Sequence, residues 1–97
     1  MIRYRLSDQA KIDIKALWEH IAQDNTHAAN RVMDQLYQAM LKLGEMPGMG
    51  HLREDLTEEP LRFWSVHRYL IIYRPDTDPI DIVRVISGHR DVAGLLA

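Results

Sequence analysis

The sequence predicts a two-layer α+β domain of order βααβββ, with an antiparallel-rich curved sheet and an N-terminal αα-hairpin packed on one face. Two apolar stripes at helical spacing follow one another, separated by about three residues. Three runs rich in β-branched and aromatic residues come after them, joined by short connections. A short alternating segment precedes both sets. A helix pair and a sheet each have an apolar face to bury, and stacking them buries both.

The elements follow in order. Ile2, Tyr4 and Leu6 alternate with Arg3 and Arg5, the period of a strand with one wet face. Ser7 is placed to cap a helix and Asp8 to meet its dipole. Ala10, Ile14, Leu17, Trp18 and Ile21 form the first stripe. Gln23-Asp24-Asn25 breaks it, and Thr26 is the expected second cap. Ala29, Val32, Met33, Leu36, Met40 and Leu43 form the second stripe, which Gly44 and Pro47 are expected to end. Helices joined this tightly pack antiparallel. Residues 44–60 read as a long connection, in which residues 47–60 set four acids against Arg53 alone. Strands are expected over residues 62–66, 69–74 and 80–86, the middle one apolar on both faces and hence central. The His67-Arg68 and Pro75–Pro79 connections impose two consecutive antiparallel pairings. Gly88 ends the last strand, and a short tail carries Leu95 and Leu96.

Composition excludes several functions. The 97 residues make one domain over 1–97, with 46% apolar and 27% charged residues, ordinary for a globular protein. A net charge of −2 argues against a strongly basic nucleic-acid binder, so no direct nucleic-acid contact is expected. With no cysteine there is no disulfide, thiolate metal site or cysteine nucleophile. No apolar run approaches the roughly 20 residues of a membrane span, and no secretory leader is evident. The expectation is a soluble, cytoplasmic protein without membrane contact. Asp76-x-Asp78-x-x-Asp81 lacks the glycine and distal glutamate of a calcium loop and reads as a turn. Neither metal nor cofactor is expected.

Four segments, in order, resemble the RelE/ParE toxin superfamily, and more closely its ParE, or plasmid-stabilisation, branch. They are Ala10-x-x-Asp13-Ile14-x-x-Leu17-Trp18, then Leu43-x-x-x-Pro47-x-x-Gly50-x-x-Arg53, then Leu61-Arg62-x-x-x-Val66-x-Arg68-Tyr69-Leu70-Ile71-Ile72-Tyr73-Arg74, and finally Ile82-Val83-Arg84-Val85-Ile86-x-Gly88-His89-Arg90-Asp91. The resemblance implies a bacterial toxin of a type II toxin–antitoxin system, silenced by a ParD-like antitoxin. ParE members typically inhibit DNA gyrase by binding. RelE members instead cut mRNA on the ribosome.

Chemistry separates the two branches. Metal-free RNA cleavage needs a proton acceptor, a proton donor and phosphate-binding cations at one place. Here every lysine (Lys11, Lys15, Lys42) falls on the expected helices, and no tyrosine follows Tyr73. Arginine holds phosphate but shuttles protons poorly. His89 is the one acid–base candidate in the C-terminal segment, so a ribonuclease site would have to be built from Arg53, Arg62, Arg84 and His89. The expectation is therefore a non-catalytic toxin, the alternatives being a RelE-type endonuclease or a non-toxic antitoxin-binding relative. Arg53, Arg62, Arg74, Arg84 and Arg90, with Trp18 and Tyr73, are the candidate partner contacts. Trp18, Met33, Met40 and Phe63 also read as core.

Overall fold

The computed structural model describes residues 2–88 and 91–96. Its elements are β1 (Tyr4–Leu6), α1 (Asp8–Ala22), α2 (Thr26–Glu45), a 3-10 turn (Pro47–Met49), β2 (His51–Leu52), β3 (Arg62–Val66), β4 (Tyr69–Arg74), β5 (Ile80–Ser87) and α3 (Val92–Leu96). The sheet order is β1-β5-β4-β3-β2, so β4 is central as its two apolar faces imply. β2, β3, β4 and β5 pair antiparallel in sequence. β1 runs parallel to β5, with Tyr4 opposite Ile80 and Leu6 opposite Ile82. The first strand thus lies beside the last at one edge of the open sheet, a pairing that the alternation of residues 2–6 does not specify.

The helical hairpin covers one face. Ala10, Ile14, Leu36, Met40 and Leu43 meet Ile71, Tyr73, Ile80, Ile82 and Val85 there, all buried. The other face is covered as well. Leu61, Phe63, Ile72, Ile86 and Val92 form a second buried cluster, screened by Leu56, Leu95 and Leu96. The tail read as an appendage is therefore a short helix on the back of the sheet. Met40 and Phe63 are core, and Met33 is partly buried. Trp18 is not core: it is 36% exposed, and its indole Nε1 donates to Asn30 Oδ1 at 2.9 Å across the hairpin.

Local chemistry explains the element ends. Ser7 Oγ accepts from Ala10 N at 3.0 Å and donates to Val83 O at 2.8 Å, capping α1 while tying it to β5. The cap of α2 is Asn25, one residue before the expected Thr26, its Oδ1 accepting from Ala28 N at 3.0 Å. Gly44 lies inside α2 and does not end it. Its lack of a side chain serves packing, since a Cβ there would sit 2.8 Å from the backbone oxygen of Arg3. Between β4 and β5 the register shifts, with Ile72 opposite Arg84 and Tyr73 opposite Ile82. Val83 is thus the extra residue of a bulge.

Candidate functional site

The candidate arginines do not share one open surface. Arg84 is the most enclosed. Its Nε and Nη2 donate to the Asp13 carboxylate at 2.8 and 3.0 Å, and the two side chains are only 14% and 7% exposed. The same carboxylate accepts from Val85 N at 3.0 Å. β1 pairs β5 only as far as Ile82. Beyond it, Ser7 and Asp13 from the start of α1 take over as partners for the uncovered backbone of β5. The hydrogen bond to Asp13 raises the Arg84 pKa above its ordinary value, against the opposing effect of burial. Arg84 therefore locks α1 to the sheet and is not an open partner contact. Asp13 was missed as a structural residue. The available signal was an acid three residues after Ala10 and one before Ile14, inside an apolar stripe.

Arg62 and Tyr73 form a second lock. Tyr73 is fully buried, so this aromatic is a core residue and makes no surface contact. Its hydroxyl donates to Pro47 O at 2.7 Å and accepts from Gly50 N at 2.8 Å. Arg62 Nη1 donates to Gly50 O at 2.7 Å. Together they hold the turn that leads out of α2. The Pro47-x-x-Gly50 spacing thus presents two backbone groups to one phenol. Burial raises the Tyr73 pKa above its ordinary 10.0. Tyr73→Phe leaves a half-buried carbonyl and a buried N–H without this partner and is expected to cost about 1–3 kcal/mol, measured by urea unfolding. The raised pKa makes the phenol's contribution complete below pH about 10 and lost as pH rises through the folded value. The variant should lose less stability than wild type above pH about 10.

Arg74, Arg53 and Arg5 are paired at the surface. Arg74 Nη2 meets Glu59 Oε1 at 3.0 Å, and Arg53 holds Asp55 through two bonds of 3.0 and 2.9 Å. Arg5 pairs with Asp81, which lies opposite Arg74 in the sheet register. An alternating row Arg5, Asp81, Arg74, Glu59 therefore crosses the strands. The Arg5 and Arg53 guanidinium groups hold the Asp81 and Asp55 carboxyls below their ordinary pKa. As exposed pairs these add little stability. Arg62 lies opposite Tyr73 and Arg74 opposite Asp81, so the two arginines alternate to opposite faces of the sheet, and their guanidinium groups serve the 47–59 segment. His89 and Arg90 lie outside the described residues. Among the described residues no group of His, Asp or Glu is placed to hold a metal ion.

The comparisons agree with this architecture. Residues 4–92 match the family model described as ParE toxin of type II toxin-antitoxin system, parDE. Among solved structures, the chain is similar to one from the chromosomal ParDE toxin–antitoxin system of P. aeruginosa, with a TM-score of 0.71 and 18% identity. That match covers 90% of this chain and 96% of the other. A search of curated proteins finds no match. The four motifs fall at the locks just described: Asp13 and Arg84 join α1 to β5, while Pro47, Gly50, Arg62 and Tyr73 secure the exit from α2. The family model spans both locks and every strand, and the chain belongs to the ParE toxin family of the type II parDE toxin–antitoxin system.

Proposed function

We propose that this ParE-family chain acts in the cytoplasm by binding and not by chemistry, stalling DNA gyrase in its cleavage–religation cycle, and that a ParD-like antitoxin neutralises it. Family membership supports the toxin role. The observation that carries the non-catalytic reading is the internal commitment of the cations. A ribonuclease must aim its arginines at a phosphate. Here Arg84 is spent on Asp13, Arg62 on Gly50 O and Arg53 on Asp55. Freeing Arg84 or Arg62 would dismantle a lock that holds the fold.

The test is to compare DNA supercoiling by gyrase with primer extension on cellular mRNA after expression of the chain. The expected result is growth arrest with supercoiling blocked and mRNA intact. Codon-positioned cuts that disappear in His89→Ala would overturn this reading in favour of a ribosome-dependent endonuclease. Normal growth with both processes unaffected would leave only an antitoxin-binding relative.

A further inference from the structure

Three features set the tip of the β3–β4 hairpin apart from the rest of the surface. First, two hollows meet there. One, of about 500 Å³, is lined by Ser65, His67, Arg68 and Gly88 among others. The other, of about 250 Å³, is lined by Arg31, Gln35 and His67 among others. His67 belongs to both, so Arg31 of α2 and Arg68 of the turn flank one histidine. Among the described residues no aspartate or glutamate lines either hollow, on a chain with 14 acids. Secondly, Arg31 and Arg68 are exposed and form no ion pair among the described residues, whereas Arg5, Arg53, Arg74 and Arg84 all do. Thirdly, His67 has a left-handed backbone, with φ 55°, the only non-glycine residue to do so among the described residues. Glycine or asparagine takes such a conformation with less strain. A histidine here keeps an imidazole between two arginines despite that strain. The acids lie elsewhere. Glu54 and Glu58 precede β3, Asp76 and Asp78 follow β4, and all four are exposed at the opposite end of these strands. The net charge of −2 thus conceals a cationic tip.

We infer that this tip binds the phosphodiester backbone of the DNA that gyrase holds, with Arg31 and Arg68 on phosphate oxygens and the His67 imidazole N–H between them. The inference rests on the gyrase reading proposed above and deepens it: the chain touches the DNA of the cleavage complex as well as the enzyme. Guanidinium groups pair bidentately with phosphate, and the Ser65 hydroxyl adds a neutral donor in the same hollow. Two arginines are too few to hold DNA alone, because affinity for a duplex grows with the number of phosphates neutralised. The contact therefore operates where gyrase already places DNA beside the chain. The separation of charge also sets orientation. A DNA-bearing surface repels the end with Glu54, Glu58, Asp76 and Asp78 and admits the opposite one. The expectation of no nucleic-acid contact came from net charge alone, which carries no information about this separation.

The experiment uses the full chain, gyrase and supercoiled plasmid. The concentration of chain that traps cleaved DNA is measured at several salt concentrations. Wild type is compared with Arg31→Ala plus Arg68→Ala, and with His67→Gly. Melting midpoints, and affinities for the protein encoded by the neighbouring reading frame, are measured on the same samples. The double variant is expected to need a roughly 10- to 100-fold higher concentration. Its logarithmic salt dependence should be shallower by about 2. His67→Gly is expected to need about 3- to 10-fold more, yet to melt no lower than wild type, because glycine relieves the turn. Both should bind the neighbouring protein within about twofold of wild type. Trapping within about twofold of wild type in either variant, or an unchanged salt dependence, overturns the inference while leaving the gyrase reading intact. A midpoint below wild type in His67→Gly makes the ring a structural part of the turn and overturns its place in the site. Trapping and affinity for the neighbouring protein falling together assigns the tip to peptide carboxylates, and also overturns it. Absence of trapping by the wild-type chain overturns the gyrase reading and this inference together.

Discussion

Asp13→Ala should lower the melting midpoint of the domain by at least about 12 °C. Asp13 is the one buried charged side chain among the described residues, at 8% exposure. It satisfies two guanidinium donors and the Val85 amide, and also accepts from Gln9 Nε2 at 3.2 Å. Removing one partner of an enclosed ion pair leaves the other charge uncompensated and costs about 3–5 kcal/mol. The orphaned Val85 N–H adds to that. Small domains hold only about 5–15 kcal/mol in total, and each kcal/mol moves the melting midpoint by about 4–8 °C at this size. A fall of at least about 12 °C is therefore expected in a thermal circular-dichroism scan. Asp13→Asn keeps one acceptor oxygen and should lose less. Replacing the pair by Asp13→Leu with Arg84→Met removes both charges and should recover part of the loss, but not all, because Val85 N–H still lacks its acceptor. If Asp13→Ala melted within about 4 °C of wild type, the lock between α1 and β5 would not be the main tie it is taken for here.

The contrast between Asp13 and the expected surface arginines shows what periodicity conveys. The stripes on α1 and α2 and the apolar runs of β3, β4 and β5 announce themselves because burial repeats along the element. The helix pair, the central position of β4 and the antiparallel β3-β4-β5 order were legible for that reason. β2 has two residues and no repeat to detect. The parallel β1–β5 pairing joins residues more than seventy positions apart, and nothing local encodes it. Gly44 was read as a stop because glycine often follows a helix. Its actual reason is the backbone of Arg3 crossing close by, a contact between distant segments. Alternation placed Arg62, Arg74 and Arg84 on strand faces but carried no information about what faces them. The bulge at Val83 further changes the register around Arg84. Tyr73 was within reach of the sequence: a tyrosine inside a strand apolar on both faces is a core residue whose hydroxyl needs a partner. The partner itself, a turn more than twenty residues earlier, appears only in the fold.

Gly50→Ala should destabilise the domain more than Tyr73→Phe does, although it adds a single methyl. The backbone at Gly50 is extended, with φ −73° and ψ 172°, so alanine meets no conformational penalty there. The obstacle is space. A Cβ at this position would lie within 2.8 Å of Tyr73 Cε1 and closer still to its hydroxyl oxygen. The ring cannot retreat, because Tyr73 is fully buried and its hydroxyl is held by Pro47 O and Gly50 N. Forcing a methyl into such a site costs about 1–3 kcal/mol in displaced packing. Pushing the phenol off its two partners adds the cost of the Tyr73→Phe change, about 1–3 kcal/mol. Their sum is about 2–6 kcal/mol, enough to approach the total stability of a domain this small. A double-mutant cycle separates the two contributions. Tyr73→Phe removes the atom nearest the new methyl, so the hydrogen-bond loss is incurred once in the combined variant. Gly50→Ala with Tyr73→Phe is therefore expected to be no less stable than Gly50→Ala alone, read by urea unfolding. Simple additivity of the two losses would mean that the methyl and the phenol do not compete for the same space, and that the turn after α2 is held by something other than Tyr73.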